Sequence, residues 1–180
     1  MNINSFNFFN KRALIRVDFN VPINNEGQVT DDTRIRMAIP TIKKVLESNG
    51  SVVLMSHLGR PKDEFEKKYS LSQIVSTVEK HLDQSISFAE DCISDQAFKL
   101  TENLQNGQVV LLENLRFYAE EKKGDSSFAM KLAKHGDVYI NDAFGTAHRA
   151  HASTAVIANY FKENKMFGHL LESEIKSVEK

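Results

Sequence analysis

The chain carries one cysteine, Cys92, in 180 residues. That excludes an internal disulfide and offers no thiol framework for a structural metal. An excess of either charge is also missing: 23 Lys and Arg stand against 24 Asp and Glu, a formal net charge of −1. So even a balance argues against general nucleic-acid or membrane-surface binding, both of which need basic surface. No apolar run approaches the ~20 residues of a membrane span. Residues 1–10 have neither a basic cluster nor the apolar stretch of a signal peptide, so the expected compartment is the cytoplasm. Common chemical signatures are absent too. We find no Walker-type GxxxxGK phosphate loop, no GxGxxG, no HExxH pair, and no Ser at a sharp strand-to-helix elbow.

What is present is an ordinary globular composition, 41% hydrophobic and 26% charged, of a length that suits one domain with at most a short appendage. Residues 13–19 read as a strand, ended by Pro22. Residues 24–27 form a turn and residues 28–30 a short extended return. Asp31 and Asp32 then supply an N-cap and first-turn negative charge. Ile35, Ala38, Ile39, Ile42, Val45 and Leu46 follow at helical spacing, with Pro40 expected to kink the helix and Asn49-Gly50 to stop it. Residues 51–56 and 109–112 are short continuous apolar runs, as a parallel strand covered on both faces requires. Further strands are expected at residues 85–88, 137–140 and 166–168. Helices are expected from Ser70 through Leu82, at residues 95–104, from Ser126 or Ser127 to Ala133, at residues 153–162, and over residues 170–180. Strands alternating with helices call for an α/β fold, a parallel sheet between two helical layers, with its ligand beyond the carboxyl ends of the strands.

Arginine is scarce: Arg12, Arg16, Arg34, Arg36, Arg60, Arg116 and Arg149 are all there are. Several fall just after expected elements. The strand ends carry Asp18-Phe-Asn20, His57-Leu-Gly-Arg60, Asn114-Leu-Arg116, and a polar segment from Asn141 to His151 that holds His148, Arg149 and His151. Each has a plain reading: an Asx-turn at Asp18 and Asn20, a capped loop at His57, solvated charges at the arginines. Together the arginines would gather like charge on one sheet edge, which is unfavourable unless an anion joins them. A small polyanion, phosphate plus carboxylate, is the expected ligand. From the first helix, either Arg34 or Arg36 joins the site; spacing does not choose. A metal held by His57, His148 and His151 is the rival, opposed by the arginine between the last two. Cys92, with no base beside it, reads as packing.

The motifs themselves go further. Arg16-Val-Asp-Phe-Asn-Val-Pro22, Thr33-Arg-Ile35 before Pro40-Thr41, Ser56-His-Leu-Gly-Arg-Pro61, Leu112-Glu-Asn-Leu-Arg116 and Asn141-Asp-Ala-Phe-Gly-Thr-Ala-His-Arg-Ala-His151 resemble phosphoglycerate kinase, in that family's order. The resemblance implies reversible phosphoryl transfer between 1,3-bisphosphoglycerate and ADP, giving 3-phosphoglycerate and ATP. It implies a six-stranded αβα sandwich with order 3-4-2-1-5-6, whose four neighbouring strands 4, 2, 1 and 5 are those with the unusual ends. It implies substrate contacts at Asp18, Phe19, Asn20, Arg34, His57, Leu58, Gly59, Arg60, Arg116 and Arg149, and chooses Arg34 over Arg36 as the catalytic arginine. It further implies a phosphoglycerate-binding domain over residues 1–168 and the start of an interdomain helix over residues 169–180. The domain that binds Mg-ATP or Mg-ADP would be missing from this chain, no metal would be bound here, and the whole enzyme would be monomeric. Turnover by this chain alone is not expected. A stand-alone anion-binding or interaction module with the same fold is the second reading, and a metal-dependent phosphohydrolase the third.

Overall fold

Apolar runs bounded by turn residues become strands, and helical spacing becomes helices that cover them. In the computed structural model, which describes residues 2–143 and 149–179, the elements alternate as expected. In chain order they are β1 (Arg12–Arg16), α1 (Thr33–Glu47), β2 (Ser51–Met55), α2 (Val75–Leu82), β3 (Ser87–Ala89), α3 (Asp95–Glu102), β4 (Val109–Leu112), α4 (Ala119–Lys123), α5 (Ser126–Ala133), β5 (Val138–Asn141), β6 (Lys165–Phe167) and α6 (His169–Val178). The strands form one sheet of six in the order β3-β4-β2-β1-β5-β6, with every pairing parallel. β2, β4 and β5 are buried along their whole length. A parallel sheet between two helical layers demands this, and the continuous Val/Leu/Ile runs supply it.

Alternation along each strand divides the interior in two. Ala13, Ile15, Val52, Leu54 and Ile140 pack with Ile35, Ile39 and Ile42 of α1 and Val78 of α2. Leu14, Val53, Met55, Leu112 and Tyr139 pack with Ala97 of α3 and Phe128 and Leu132 of α5 on the other face. α6 lies beside α1: the His169 amide donates to Thr41 Oγ1 at 2.9 Å, and the Leu171 amide to Asp142 Oδ1 at 3.1 Å. Asp142 thus does for α6 what its own N-cap, Gly168, has no side chain to do. Among the described residues no helix is long and apolar enough to cross a membrane.

Several local expectations change. β1 ends at Arg16 rather than at residue 19, because the Phe19 amide turns to Ser56 Oγ at 2.9 Å. α1 continues through Pro40, which lies on the exposed side of the helix. Asp31, not Asp32, takes the first-turn amide, accepting from Thr33 N at 3.0 Å. Asp32 instead meets Arg36 at 2.9 Å and His81 of α2 at 2.7 Å. The helix expected from Ser70 begins as a 3-10 turn, Leu71–Ile74, and becomes α-helical only at Val75. There the Glu113 carboxylate takes Ser70 Oγ at 2.6 Å and the Leu71 amide at 2.8 Å. The segment expected to be helical over residues 153–162 holds only a 3-10 turn, Val156–Tyr160. α4 arises in what reads from sequence as a charged loop.

Gly50 tests the packing directly. A Cβ there would stand 2.8 Å from Val45 Cγ1 and 2.9 Å from the Phe8 carbonyl oxygen, between α1 and β2. Gly50→Ala should therefore cost about 2 kcal/mol through overpacking. Gly107, with φ of +87° and open space around its Cβ direction, should cost about 1 kcal/mol from backbone strain alone when changed to Ala. Urea unfolding of the two variants measures the difference, and equal losses would refute this account of Gly50.

Candidate anion-binding site

Register aligns the strand ends. Arg16 stands opposite Met55 on one side and Asn141 on the other, so the segments after β1, β2 and β5 leave the sheet on one edge. The segment after β4 joins them: the Leu115 amide donates to the Ser56 carbonyl at 3.1 Å. Between these segments lies a cleft of about 530 Å³ lined by Asp18, Asn20, Arg34, His57, Gly59, Arg60, Arg116, Lys122 and Arg149. Of the expected site residues, Phe19 and Leu58 do not line it. Their side chains are buried in the core on the α1 face, so they shape the cleft wall from behind. Arg36 turns to Asp32, away from the cleft. His148 lies outside the described residues.

Short polar side chains hold the loops in place. The Asn20 amide donates to Asp18 Oδ1 at 3.1 Å, the Asx-turn that the sequence allows. Asn20 Oδ1 in turn accepts from the Gly59 amide at 2.9 Å, tying the β1 loop to the β2 loop. Gly59 has φ of +63°, and a Cβ there would stand 2.4 Å from the Tyr69 ring, so only glycine lets the loop pass this close. Asn114 Oδ1 accepts from the amides of Leu58 at 3.2 Å and Arg116 at 3.0 Å, tying the β2 loop to the β4 loop. Arg34 reaches down from α1 and donates to the Asn20 carbonyl at 2.7 Å, with Asp18 Oδ1 at 3.5 Å.

The electrostatics are one-sided. Arg34, Arg60, Arg116, Lys122 and Arg149 face one lining carboxylate, Asp18, on a chain of nearly zero net charge. Arg116 is buried, and its Nε has no hydrogen-bond partner among the described residues. Burial, then the neighbouring charge of Arg16, pulls its pKa down, yet a guanidinium stays charged in proteins. His57 is also buried, and desolvation followed by the charges of Arg16 and Arg116 pushes its pKa down to about 2. The ring is therefore neutral. Arg16 NH2 lies 2.9 Å from its Nδ1. Since a guanidinium only donates, Nδ1 accepts and the ring proton sits on Nε2. A ring nitrogen so occupied is poorly placed to hold a cation. Arg16 and Lys122 are the residues sequence reasoning passes over. An arginine ending an otherwise apolar strand was a usable signal, because a buried charge needs a partner. Nothing distinguished Lys122 from the other charges of its helix.

The arrangement gathers five cationic side chains around one cleft at the carboxyl edge of the sheet. A family model described as Phosphoglycerate kinase matches residues 3–180. The chain belongs to the phosphoglycerate kinase family. The phosphoglycerate kinase of Porphyromonas gingivalis is 47% identical over an alignment that includes 100% of this chain and 49% of the relative. That of Borrelia hermsii is 49% identical, with 95% of this chain and 46% of the relative aligned. The solved phosphoglycerate kinase of Coxiella burnetii superposes with a TM-score of 0.87 at 38% identity, covering 98% of this chain and 43% of that one. The chain thus spans about half the length of the phosphoglycerate kinases it matches.

Burial of neutral histidines sets a pH dependence. His57 and His135 hold folded pKa values of about 2 and about 4, each lowered first by desolvation. Free imidazole titrates near 6.5. Below that value the unfolded chain takes up protons that the folded chain refuses. Stability from these groups is therefore complete above pH ~6.5 and lost as pH falls toward the folded values. Asp142, pushed by burial up to about 6, acts in the opposite sense over a narrower window, favouring the folded state below its unfolded value and losing that as pH rises. The histidines outweigh it. Urea unfolding should show a loss on the order of 2 kcal/mol between pH 7 and 5, made shallower by His135→Gln; a rise in stability over that range would contradict this balance.

Proposed function

We propose that this chain provides the phosphoglycerate-binding half of a phosphoglycerate kinase. One observation supports this above the others: five cationic side chains, among them a buried Arg116 whose Nε has no partner among the described residues, converge on one cleft at the carboxyl edge of a parallel sheet. In this reading Arg60, Arg116 and Arg149, with the Nε2–H of His57, hold the 3-phosphate of 3-phosphoglycerate. Asp18 and Asn20 orient its hydroxyl and carboxyl end. Arg34, at the cleft edge on α1, faces the phosphoryl group in transit. Phe19, Leu58 and Gly59 shape the walls through packing and backbone.

The chemistry asks little acid–base work of these residues. In the ATP-consuming direction a substrate carboxylate oxygen attacks the γ-phosphorus, and the bond from that phosphorus to the bridging oxygen breaks to release ADP. The carboxylate is already ionised near neutrality, since such groups titrate near 4. No proton need be removed, which accords with a cleft whose histidine is held neutral. What remains is to align two anions and to offset charge in the transition state. A magnesium ion does not suit this cleft, with its surplus of cations. The metal-bound nucleotide would be held by the part of the relatives' length that this chain does not match. Residues 169–180, which include α6, would lead toward that part, and the reaction would occur in the cytoplasm by a monomeric enzyme when both halves are present.

Calorimetry with this chain should detect 3-phosphoglycerate and not ATP. Arg116→Gln should weaken 3-phosphoglycerate tenfold or more, the effect of losing a buried charge-assisted contact. Heat from ATP with none from 3-phosphoglycerate would overturn the assignment. In a chain carrying both halves, Arg34→Ala should lower kcat by about 10³-fold. If affinity collapsed while kcat stayed nearly intact, Arg34 would be a binding residue only.

A further inference from the structure

Behind the cleft wall lies a chain of buried polar groups that the binding reading does not use. Arg16, Glu121 and Ser153 are each 0% exposed. They come from β1, from α4 and from the segment after β5. We propose that Glu121 and Ser153 are positioning residues for the anion cleft: acting through Arg16, they fix His57 with its Nε2–H toward the anion, and they seat the segment that carries Arg149.

Donor and acceptor rules leave one direction for the chain. Glu121 accepts from Ser153 twice, at Oε1 from the amide at 2.9 Å and at Oε2 from the hydroxyl at 2.5 Å. The hydroxyl has then spent its only proton, so it must accept from Arg16 Nε, at 2.9 Å. Arg16 NH1 donates to the Val17 carbonyl, and NH2 donates to His57 Nδ1 at 2.9 Å. His57 is left with one polar atom for the cleft, Nε2, which must be a donor while the ring is neutral. Were Glu121 absent, the guanidinium buried at the end of β1 would lose the largest of its compensating charges. The same residue anchors the loop beside it: its carbonyl accepts from the Ala152 amide at 2.9 Å. Thr154 Oγ1 then donates to the Arg149 carbonyl at 3.0 Å, so the segment is fixed on both sides of Ser153. Around His57 the other charged or titratable groups are Arg116 after β4, His151 after β5 and Arg34 on α1, and each disfavours a second proton on the ring.

The inference rests on the anion reading of the cleft, and its first test does not. Two-bond ¹H–¹⁵N correlation of the unliganded chain at pH 7 reports which ring nitrogen of His57 carries the proton. A neutral ring protonated at Nε2 is expected; a Nδ1-protonated or doubly protonated ring would overturn the proposal without any variant. Glu121→Gln, which removes the charge, and Ser153→Ala, which keeps it and should fold, are then compared. In both, the single-tautomer signature should give way to mixed or titrating behaviour. Affinity for sulfate, which keeps its charge across this pH range, should fall about tenfold, the scale of one charge-assisted hydrogen bond. Retention of both the signature and the sulfate affinity in a folded Ser153→Ala would sink the positioning role. Failure of wild-type chain to bind 3-phosphoglycerate, with the His57 signature intact, would instead count against the substrate reading alone.

Discussion

A guanidinium buried at the carboxyl end of the central strand is the constraint around which this edge of the molecule is arranged. Arg16 leaves the sheet between β2 and β5, where its side chain is fully buried. Desolvation of such a charge is expensive, and it is tolerated only with a full set of acceptors and a counter-charge nearby. Apart from the adjacent Val17 carbonyl, those partners come from far along the chain: Ser153, and Glu121 through Ser153, with His57 on the other side. The short helix α4 and the segment after β5 are therefore pinned to the strand that bears the arginine. Both carry cleft residues, Lys122 and Arg149.

The cleft itself stores repulsion. Arg34, Arg60, Arg116, Lys122 and Arg149 are held on one edge by a scaffold of Asn20, Ser56 and Asn114 that has satisfied its own hydrogen bonds elsewhere. Grouping these cations opposes folding in the absence of an anion and favours binding in its presence. For the proposed anion this would be preorganisation in a specific sense: the donors already stand in position, and the cost of collecting them is met by the apolar cores on the two sheet faces. Neutral His57 fits the same logic. It adds a hydrogen-bond donor without adding a further charge to an already crowded group.

Much of the fold was legible from periodicity. Val-Val-Leu-Met after Ser51 and Val-Val-Leu-Leu after Gln108 could only be strands buried on both faces, and α1, α3 and α5 lie where apolar spacing places them. Element ends were less legible, because distant side chains set them. Ser56 takes the Phe19 amide and stops β1 early, and Glu113 captures Ser70 and Leu71 and turns a helix start into a 3-10 turn. α4 was hidden for a related reason. Its five residues have mixed charge and no apolar stripe, and its reason to form is the buried Glu121, whose partner lies 32 residues away.

Within the site, the sequence by itself determined which residue types stand after each strand. That was enough to infer a polyanion, because arginines recurring at strand ends of a parallel sheet have to share one edge. Choosing between Arg34 and Arg36 required the family motif; in the structure Arg34 lines the cleft, while Arg36 turns to Asp32, which also meets His81. Tertiary structure alone decided that Phe19 and Leu58 face the core, that Lys122 faces the cleft, and that Arg16 is a buried support. The reason is physical. Local sequence sets the direction of a side chain relative to its own strand or helix, but what that side chain meets depends on register and on loops that cross from other strands. The protonation of His57 is decided in the same way, by its burial and by an arginine 41 residues distant.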